Sequence, residues 1–377
     1  MKKIGIITIH KIVNYGSVLQ AYALQQICEQ KGFCVNIIDY RFPNDYHLSK
    51  PSNIEPDSVL TLKEKILKYA FGIQLLRQHK GISNFVKKYL HLTQNEYCSP
   101  IELQKANFDF DIYISGSDQI WSTHHCKGDP SFLLHFAPDT SNKFSYASSF
   151  GGALVEEDFK KMYIENLSRL NNISVREQSG AKIVKALIGK DAAVVLDPTL
   201  LLDRKEWNKI AIKERIIKEK YILCYYLNYS FNAHPYVEKL TDKLQKQSGY
   251  KIVWLARPPK RFLNKKTSFC IGASPETFLA LIRDSEAVLT TSFHGTAFAV
   301  NYGKPVISIV KNKNSLDSRQ ADLLRSLGLC DNIIELDAPI PSLKIAYYDE
   351  SKEQETLSLL RKQSLLFLDK SLNYRKK

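Results

Sequence analysis

A histidine stands at the end of an apolar run in this sequence, within Ser292-Phe293-His294-Gly295. The preceding residues 286–291 have the length of a buried strand, and the small residues that follow are typical of a tightly packed helix. Ligands of open α/β sheets bind outside the carboxyl ends of parallel strands, where this turn would lie. Histidine is the usual general acid or base near neutral pH, and it is also common at helix ends. Proton transfer by His294 and a purely structural role in the turn both remain open.

Two glycine turns follow other predicted strands and have groups suited to polar ligands. Asn14-Tyr15-Gly16-Ser17 follows the apolar run 3–9, and a helix predicted over 18–30 would present its N–H groups and positive dipole end to an anion. Gly116-Ser117-Asp118-Gln119 follows the run 110–114 and offers hydroxyl, carboxylate and amide groups. The first turn lacks a G-x-G-x-x-G nucleotide fingerprint, and a plain tight turn is the alternative.

Two arginine positions are candidates for binding a carboxylate or a phosphate. Arg176 directly follows a predicted strand, and its planar guanidinium matches either anion. An ion pair with Glu177 or another acid is the alternative. Arg257 belongs to a basic loop with Lys260 and Arg261 after another strand, and this loop either binds phosphate or is solvated.

The elements that must position these groups alternate along the chain. Strand-length apolar runs alternate with segments of helical periodicity, which predicts an α/β protein. The length of 377 residues fits two domains, and the composition becomes more charged near residue 205. We therefore place the domains at 1–205 and 206–350, with a C-terminal helix over 351–377. A basic insertion at about 60–92 fits a helix lying on anionic lipid, or an ordinary amphipathic helix with a solvated face.

The composition excludes several classes of protein. Hydrophobic residues at 44% and charged residues at 24% are typical of a soluble globular protein. No apolar run approaches the roughly 20 residues of a membrane span and no signal peptide is recognisable, so we expect a cytoplasmic protein whose membrane contact is at most peripheral. The formal charge of +14 favours an anionic partner, but no nucleic-acid module is present. The cluster His124-His125-Cys126 lacks companion ligands at a recognised spacing, so we predict no metal site.

Five motifs in chain order resemble those of the polysaccharide pyruvyl transferase family. They are Asn14–Leu24, Gly116–Trp121, Ser174–Glu177, Leu196–Thr199 and Ser292–Gly295. The resemblance implies two Rossmann-like domains facing each other across a cleft, similar to GT-B glycosyltransferases, with the C-terminal helix crossing back to the first domain. It implies phosphoenolpyruvate as the donor. The implied acceptor is a sugar of a bacterial exopolysaccharide or capsule precursor, often carried on polyprenyl diphosphate.

The implied reaction forms a pyruvate ketal on the sugar and requires no metal or organic cofactor. His294 would move the protons, and Arg176 would bind a carboxylate or phosphate. The first domain would bind the acceptor and the second the donor. Ligand contacts are assigned to the residues Asn14, Tyr15, Gly16, Ser17, Gly116, Ser117, Asp118, Gln119, Arg176, Arg257, Ser292, Phe293, Gly295 and Thr296.

One position departs from the family. Characterised members often have Arg-Leu-His at the second-domain turn, whereas this chain has Ser292-Phe293-His294. Either another cation binds the donor, with Arg257, Lys260, Arg261 and Lys304 as candidates, or the donor differs. The alternatives are a GT-B-type glycosyltransferase that uses a nucleotide sugar and a non-catalytic anion- or nucleic-acid-binding protein. A serine hydrolase is disfavoured because Ser292 lacks the G-x-S-x-G elbow.

Overall fold

The chain folds as two compact α/β units. The computed structural model describes residues 1–42, 62–227, 231–255, 267–270, 272–312, 319–340 and 350–374. The first unit is drawn from Met1–Tyr46, Val86–Leu202 and Glu355–Lys377, and the second from His47–Phe85 and Asp203–Gln354. Glu355–Lys377 is thus grouped with the first unit. Of the basic segment that the sequence assigned to the first domain, the described residues up to Phe85 are grouped with the second unit.

The first unit is built on a parallel sheet. In chain order, the helices and strands before residue 203 are β1 (Lys3–Ile7), α1 (Tyr15–Gln30), β2 (Cys34–Ile37), α2 (Leu62–Tyr89), α3 (Pro100–Lys105), β3 (Ile112–Ser115), α4 (Thr123–Cys126), β4 (Asn142–Ser145), α5 (Glu157–Ser168), β5 (Ser174–Val175), α6 (Gln178–Ile188) and β6 (Ala193–Val194). The four-stranded sheet has the order β2-β1-β3-β4, and β5 pairs with β6. The strand order reverses between β1 and β3.

Burial on both faces explains why these short segments form strands. Ile4, Ile6 and Ile7 of β1 are fully buried, as are Phe144 and Ser145 of β4. A parallel sheet is covered on both faces, so its strands are nearly continuous apolar runs, as the sequence predicted. The core beside this sheet also contains Trp121, whose indole N–H donates to the Ser115 hydroxyl at 3.1 Å.

The second unit contains a six-stranded parallel sheet. The remaining elements are α7 (Arg204–Asn208), β7 (Tyr221–Tyr225), α8 (Tyr236–Ser248), β8 (Lys251–Trp254), β9 (Thr267–Phe269), α9 (Pro275–Asp284), β10 (Ala287–Thr290), α10 (Phe293–Asn301), β11 (Val306–Val310), α11 (Arg319–Ser326), β12 (Ile333–Glu335) and α12 (Glu350–Leu372). The sheet order is β12-β11-β10-β7-β8-β9. This is the usual Rossmann strand order, which reverses between β7 and β10.

The residues that typically begin a helix predicted the start of α9 correctly but not the start of α1. The predicted helix after Ser274 is confirmed, since α9 begins at Pro275 and the Ser274 hydroxyl accepts from Thr277 N at 3.3 Å. The prediction for α1 was wrong by one turn, because the helix begins at Tyr15 and not at residue 18. Within the described residues, no helix combines the length and apolar character needed to cross a membrane.

A buried carboxyl in the first turn of α12 makes stability depend on pH. Glu353 is 2% exposed, and within the described chain neither carboxyl oxygen has a hydrogen-bond partner. Burial raises the pKa of Glu353 from 4.5 to about 8. Because the folded protein binds this proton more tightly, the stabilisation is complete below the unfolded pKa and is lost as the pH rises through the folded pKa.

We expect the Glu353→Gln variant to lose less stability than the wild type between about pH 5 and about pH 8, because glutamine stays neutral. Thermal unfolding of both proteins across this range measures the difference. Glu355→Gln, at an exposed position two residues away, serves as the control. Parallel pH curves for the wild type and Glu353→Gln would contradict the assignment.

Candidate active site

Three of the five sequence motifs follow strands that lie beside a sheet reversal. In the first unit, the turn containing Gly16 follows β1 and the turn containing Gly116 follows β3, and these strands are neighbours. In the second unit, the turn containing His294 follows β10, which pairs with β7. Reversal points of open α/β sheets are where ligands bind. Each unit thus has at least one of the predicted turns at a reversal point, and ligand binding there stays a prediction.

Asn14 and Ser17 fix the start of α1 in the first unit. The Asn14 side-chain oxygen accepts from Gly16 N at 2.9 Å and caps the helix. Tyr15 and Ser17 are buried, and the Ser17 hydroxyl donates to Asp118 Oδ2 at 2.5 Å. The first two motifs, 101 residues apart, are therefore in direct contact.

Arg176 lies in a buried ion pair between two carboxylates. Its Nη1 donates to Asp197 Oδ2 at 2.9 Å, and its Nη2 lies 3.5 Å from Asp118 Oδ1. The side chains of Arg176 and Asp197 are 2% and 0% exposed. Burial by itself would lower the pKa of Arg176, but the charges of Asp197, Asp118 and Glu177 outweigh it and raise that pKa. The structure thus shows the ion pair that the sequence left open, and a clamp on a ligand anion stays a prediction.

Serine hydroxyls and a glycine complete this cluster in the first unit. Ser117 Oγ lies 2.9 Å from Asp197 Oδ2 and 3.0 Å from Ala147 O, and its one proton is donated to either of these acceptors. A Cβ on Gly116 would lie 2.9 Å from Thr8 Cβ, so packing against β1 already requires glycine there. The Gln119 side chain lies against Gly151. Residues of four motifs therefore lie together, and the charged groups among them are one guanidinium and several carboxylates.

A second cluster at the same edge was missed in the sequence. His10 Nε2 lies 3.1 Å from Asp39 Oδ1, and His10 Nδ1 lies 3.0 Å from Thr8 O. Lys11 Nζ contacts Asp39 at 2.7 Å and Glu96 at 2.5 Å. Burial would raise the pKa of Asp39, but hydrogen bonds from His10 and Lys11 lower it overall. His10 and Asp39 follow neighbouring strands, so the strand-end rule applied to the histidine would have found the pair.

The His294 turn in the second unit is held by threonine and serine hydroxyls. Thr290 Oγ1 donates to Tyr225 O at 2.6 Å and accepts from Ser292 N at 2.9 Å. Ser292 Oγ accepts from Gly295 N at 3.3 Å and caps α10. His294, in the first turn of α10, is 5% exposed. These bonds fix the backbone at His294, which lies at the positive end of a helix, where a bound anion is stabilised.

Two neighbours of His294 have packing roles. The Phe293 and His294 rings are 5.2 Å apart at 80°. Thr296 is fully buried, and its hydroxyl donates to Ser292 O at 3.1 Å and lies 3.1 Å from Ser308 Oγ. Thr296 therefore stabilises the turn through these hydrogen bonds, and its assignment to ligand contact stays a prediction.

Gly295 is expected to be intolerant of a side chain. A Cβ at this position would lie 2.5 Å from Thr290 Oγ1 and 3.0 Å from Tyr225 Cδ1. We expect Gly295→Ala to destabilise the protein by about 1–3 kcal/mol through overpacking. Urea unfolding measures the loss. In the control Gly152→Ala, the added Cβ meets only Phe150 O at 4.0 Å, and equal losses in both variants would contradict the packing argument.

Of the four candidate cations for the donor, the described residues include Lys304 alone. Arg257, with Lys260 and Arg261, lies outside the described residues. Lys304 precedes β11, which runs parallel to β10, so it lies at the amino edge of the sheet and His294 at the carboxyl edge. The hypothesis that Lys304 replaces the missing arginine beside His294 was therefore wrong. Among the described residues, no group of three or more His, Cys, Asp or Glu side chains is placed to hold a metal ion.

Comparison with known proteins connects this geometry to one sequence family and to a recurrent fold. The sequence model of the family described as polysaccharide pyruvyl transferase matches residues 14–312. The UDP-GlcNAc 2-epimerase from Methanocaldococcus jannaschii has a TM-score of 0.52 at 11% identity, over 95% of this chain and 99% of that one. The UDP-N-acetylglucosamine 2-epimerase from Rickettsia bellii has a TM-score of 0.51 at 11% identity, over 99% and 97%. No curated protein matches the chain.

The structural likeness shows the fold alone. At 11% identity, these neighbours establish two Rossmann-like units of the GT-B type and do not identify a ligand. The family match extends over parts of both units. It includes all five motifs, since it begins at Asn14 and ends beyond Gly295. The two Rossmann-like units expected from the sequence are confirmed.

Proposed function

Because this chain belongs to the polysaccharide pyruvyl transferase family, we propose that it transfers a pyruvyl group from phosphoenolpyruvate to a sugar and closes a ketal there. The observation that carries this proposal is His294, held in the first turn of α10 beside the strand reversal. A proton-transfer group next to a helix N-terminus suits a donor that carries two anionic groups.

The proposed reaction uses one donor and two sugar hydroxyls. A proton adds to the methylene carbon of phosphoenolpyruvate, and C2 becomes an oxocarbenium-like centre. One hydroxyl oxygen bonds to C2 and releases its proton, and a neighbouring hydroxyl then bonds to C2 as the C2–O bond to phosphate breaks. The second proton leaves with the phosphate, so the products are the cyclic ketal and inorganic phosphate. His294 would deliver the first proton and accept one from a hydroxyl.

The charges near the two candidate sites support the assignment of the acceptor and the donor to different units. In the first unit, Arg176 lies among Asp118, Asp197 and Glu177, so carboxylates outnumber the guanidinium. Such a cluster disfavours an anionic donor and suits a ligand that offers hydroxyl donors. In the second unit, the N-terminus of α10 favours an anion. We therefore assign the sugar acceptor to the first unit and phosphoenolpyruvate to the second.

The acceptor class follows from the family and not from a contact in the structure. We propose a sugar of a surface-polysaccharide precursor, carried on polyprenyl diphosphate, and an enzyme that works at the cytoplasmic face of the membrane. The basic residues Arg77, Lys80, Lys87 and Lys88 of α2 are suited to peripheral contact with anionic lipid.

Phosphate release from phosphoenolpyruvate, measured with a panel of lipid-linked and nucleotide-linked sugars, tests the proposal. We expect release that depends on one acceptor class. A thermal-shift comparison with UDP and GDP separates the rival glycosyltransferase. Stabilisation by a nucleotide but not by phosphoenolpyruvate, together with no phosphate release, would overturn the assignment.

A further inference from the structure

The donor needs cations that the His294 turn does not itself supply. This inference rests on the proposed function, in which phosphoenolpyruvate brings a carboxylate and a phosphate to the carboxyl edge of the second sheet. The turn residues Ser292, Phe293 and Gly295 are uncharged. A helix N-terminus provides only about half a positive charge, so a side-chain cation is required to balance the donor.

Few cations occupy the described part of this edge. This part consists of the described residues that follow each strand of the second sheet, as far as the first turn of the next helix. Lysine or arginine occurs among these residues at Lys239 in α8, at Lys311 after β11, at Arg319 in α11 and at Lys352 in α12. Lys239, Lys311 and Lys352 are exposed, whereas Arg319 is partly buried and its Nε is shielded from solvent.

A direct hydrogen bond links the start of α11 to the catalytic turn. Gln320 is 9% exposed, and its Nε2 donates to Thr291 O at 2.5 Å. Thr291 immediately precedes Ser292, the cap of α10, and Arg319 immediately precedes Gln320. β11 also pairs directly with β10. The first turn of α11 is therefore fixed beside the turn that carries His294.

We propose that Arg319 binds an anionic group of the donor beside His294 and so determines the specificity of this site for an anionic donor. A guanidinium binds a carboxylate or a phosphate through two parallel hydrogen bonds. Arg325 on the same helix is exposed and pairs with Asp322 at 3.2 Å.

Kinetics of the full-length enzyme test this role. Arg319→Ala should raise KM for phosphoenolpyruvate by roughly ten- to a hundredfold, as expected when a charge-assisted hydrogen-bonding group is removed. Arg319→Lys should recover part of the loss because it keeps the charge without the fork. Arg325→Ala should leave KM unchanged. Calorimetric titration of phosphoenolpyruvate into each protein measures binding independently of turnover.

Chemical rescue separates ligand binding from a structural role. Added guanidinium at non-denaturing concentration should restore part of the activity of Arg319→Ala and should not affect Arg325→Ala. If the wild type turns over phosphoenolpyruvate while Arg319→Ala keeps its KM and affinity, the inference is overturned. The same holds if both are impaired but neither lysine nor guanidinium restores them. If the wild type itself neither binds nor turns over phosphoenolpyruvate, the proposed function fails first.

Discussion

The His294→Ala variant should release phosphate from phosphoenolpyruvate about 10²–10⁴-fold more slowly than the wild type, which is the usual contribution of a general acid–base group. The loss should fall mainly on kcat, because the imidazole acts on protons that move in the transition state. Its position in α10 is fixed by the Ser292 cap and by the Thr290 hydroxyl, so the geometry of the turn should survive the change. Initial rates at saturating donor measure the effect.

A matched control distinguishes this role from a general effect of removing a histidine. His91 is 61% exposed at its side chain and contacts Glu29 at 2.7 Å in the first unit. His91→Ala should retain the wild-type rate. Full activity in His294→Ala would remove His294 from the mechanism, and equal losses in both variants would show that the effect is not specific to the site.

Loss of the Arg176 guanidinium should act chiefly on stability. Arg176→Ala leaves Asp197 and Asp118 buried without their cation, and breaking a buried pair in this way costs about 3–5 kcal/mol. Arg41 is a suitable control, since its side chain is 71% exposed and lies 3.9 Å from Glu96. Arg41→Ala should cost about 0–1 kcal/mol. Urea unfolding, followed by a signal from the first unit, measures both changes.

The same variant decides between the two interpretations of Arg176. If Arg176 serves the fold, Arg176→Ala lowers stability, and a double variant that also carries Asp197→Asn recovers part of the loss because one buried charge is removed. If Arg176 instead clamps the donor, the variant stays stable and its KM for phosphoenolpyruvate rises. That second result would require donor contacts in the first unit and would contradict the assignment of donor and acceptor.

The sequence was sufficient to locate the turns but not their partners. Strand-end position alone identified Gly16, Gly116 and His294, because parallel strands place their carboxyl ends at one edge. The contact of Ser17 with Asp118 joins positions 101 residues apart, and no local pattern encodes it. For the same reason, Arg176 could be matched with an acid but not with Asp197 in particular.

Whether a residue precedes or follows a strand decides at which edge of a parallel sheet it lies. Lys304 is close to His294 in sequence, yet β11 follows it, so it lies at the opposite edge. Arg319 is 25 residues from His294, but α11 returns to the turn through Gln320. Charge and sequence distance alone ranked Lys304 as a candidate and gave no reason to consider Arg319.

The central claim is tested most directly by the product of the reaction. Purified protein, phosphoenolpyruvate and a lipid-linked or nucleotide-linked sugar are incubated together, and the acceptor is analysed by mass spectrometry while released phosphate is counted. We predict an acceptor that gains the mass of pyruvic acid less one water, with one phosphate released for each acceptor modified. Phosphate release with an unmodified acceptor, or transfer of a sugar from a nucleotide donor in place of the pyruvyl group, would contradict the claim.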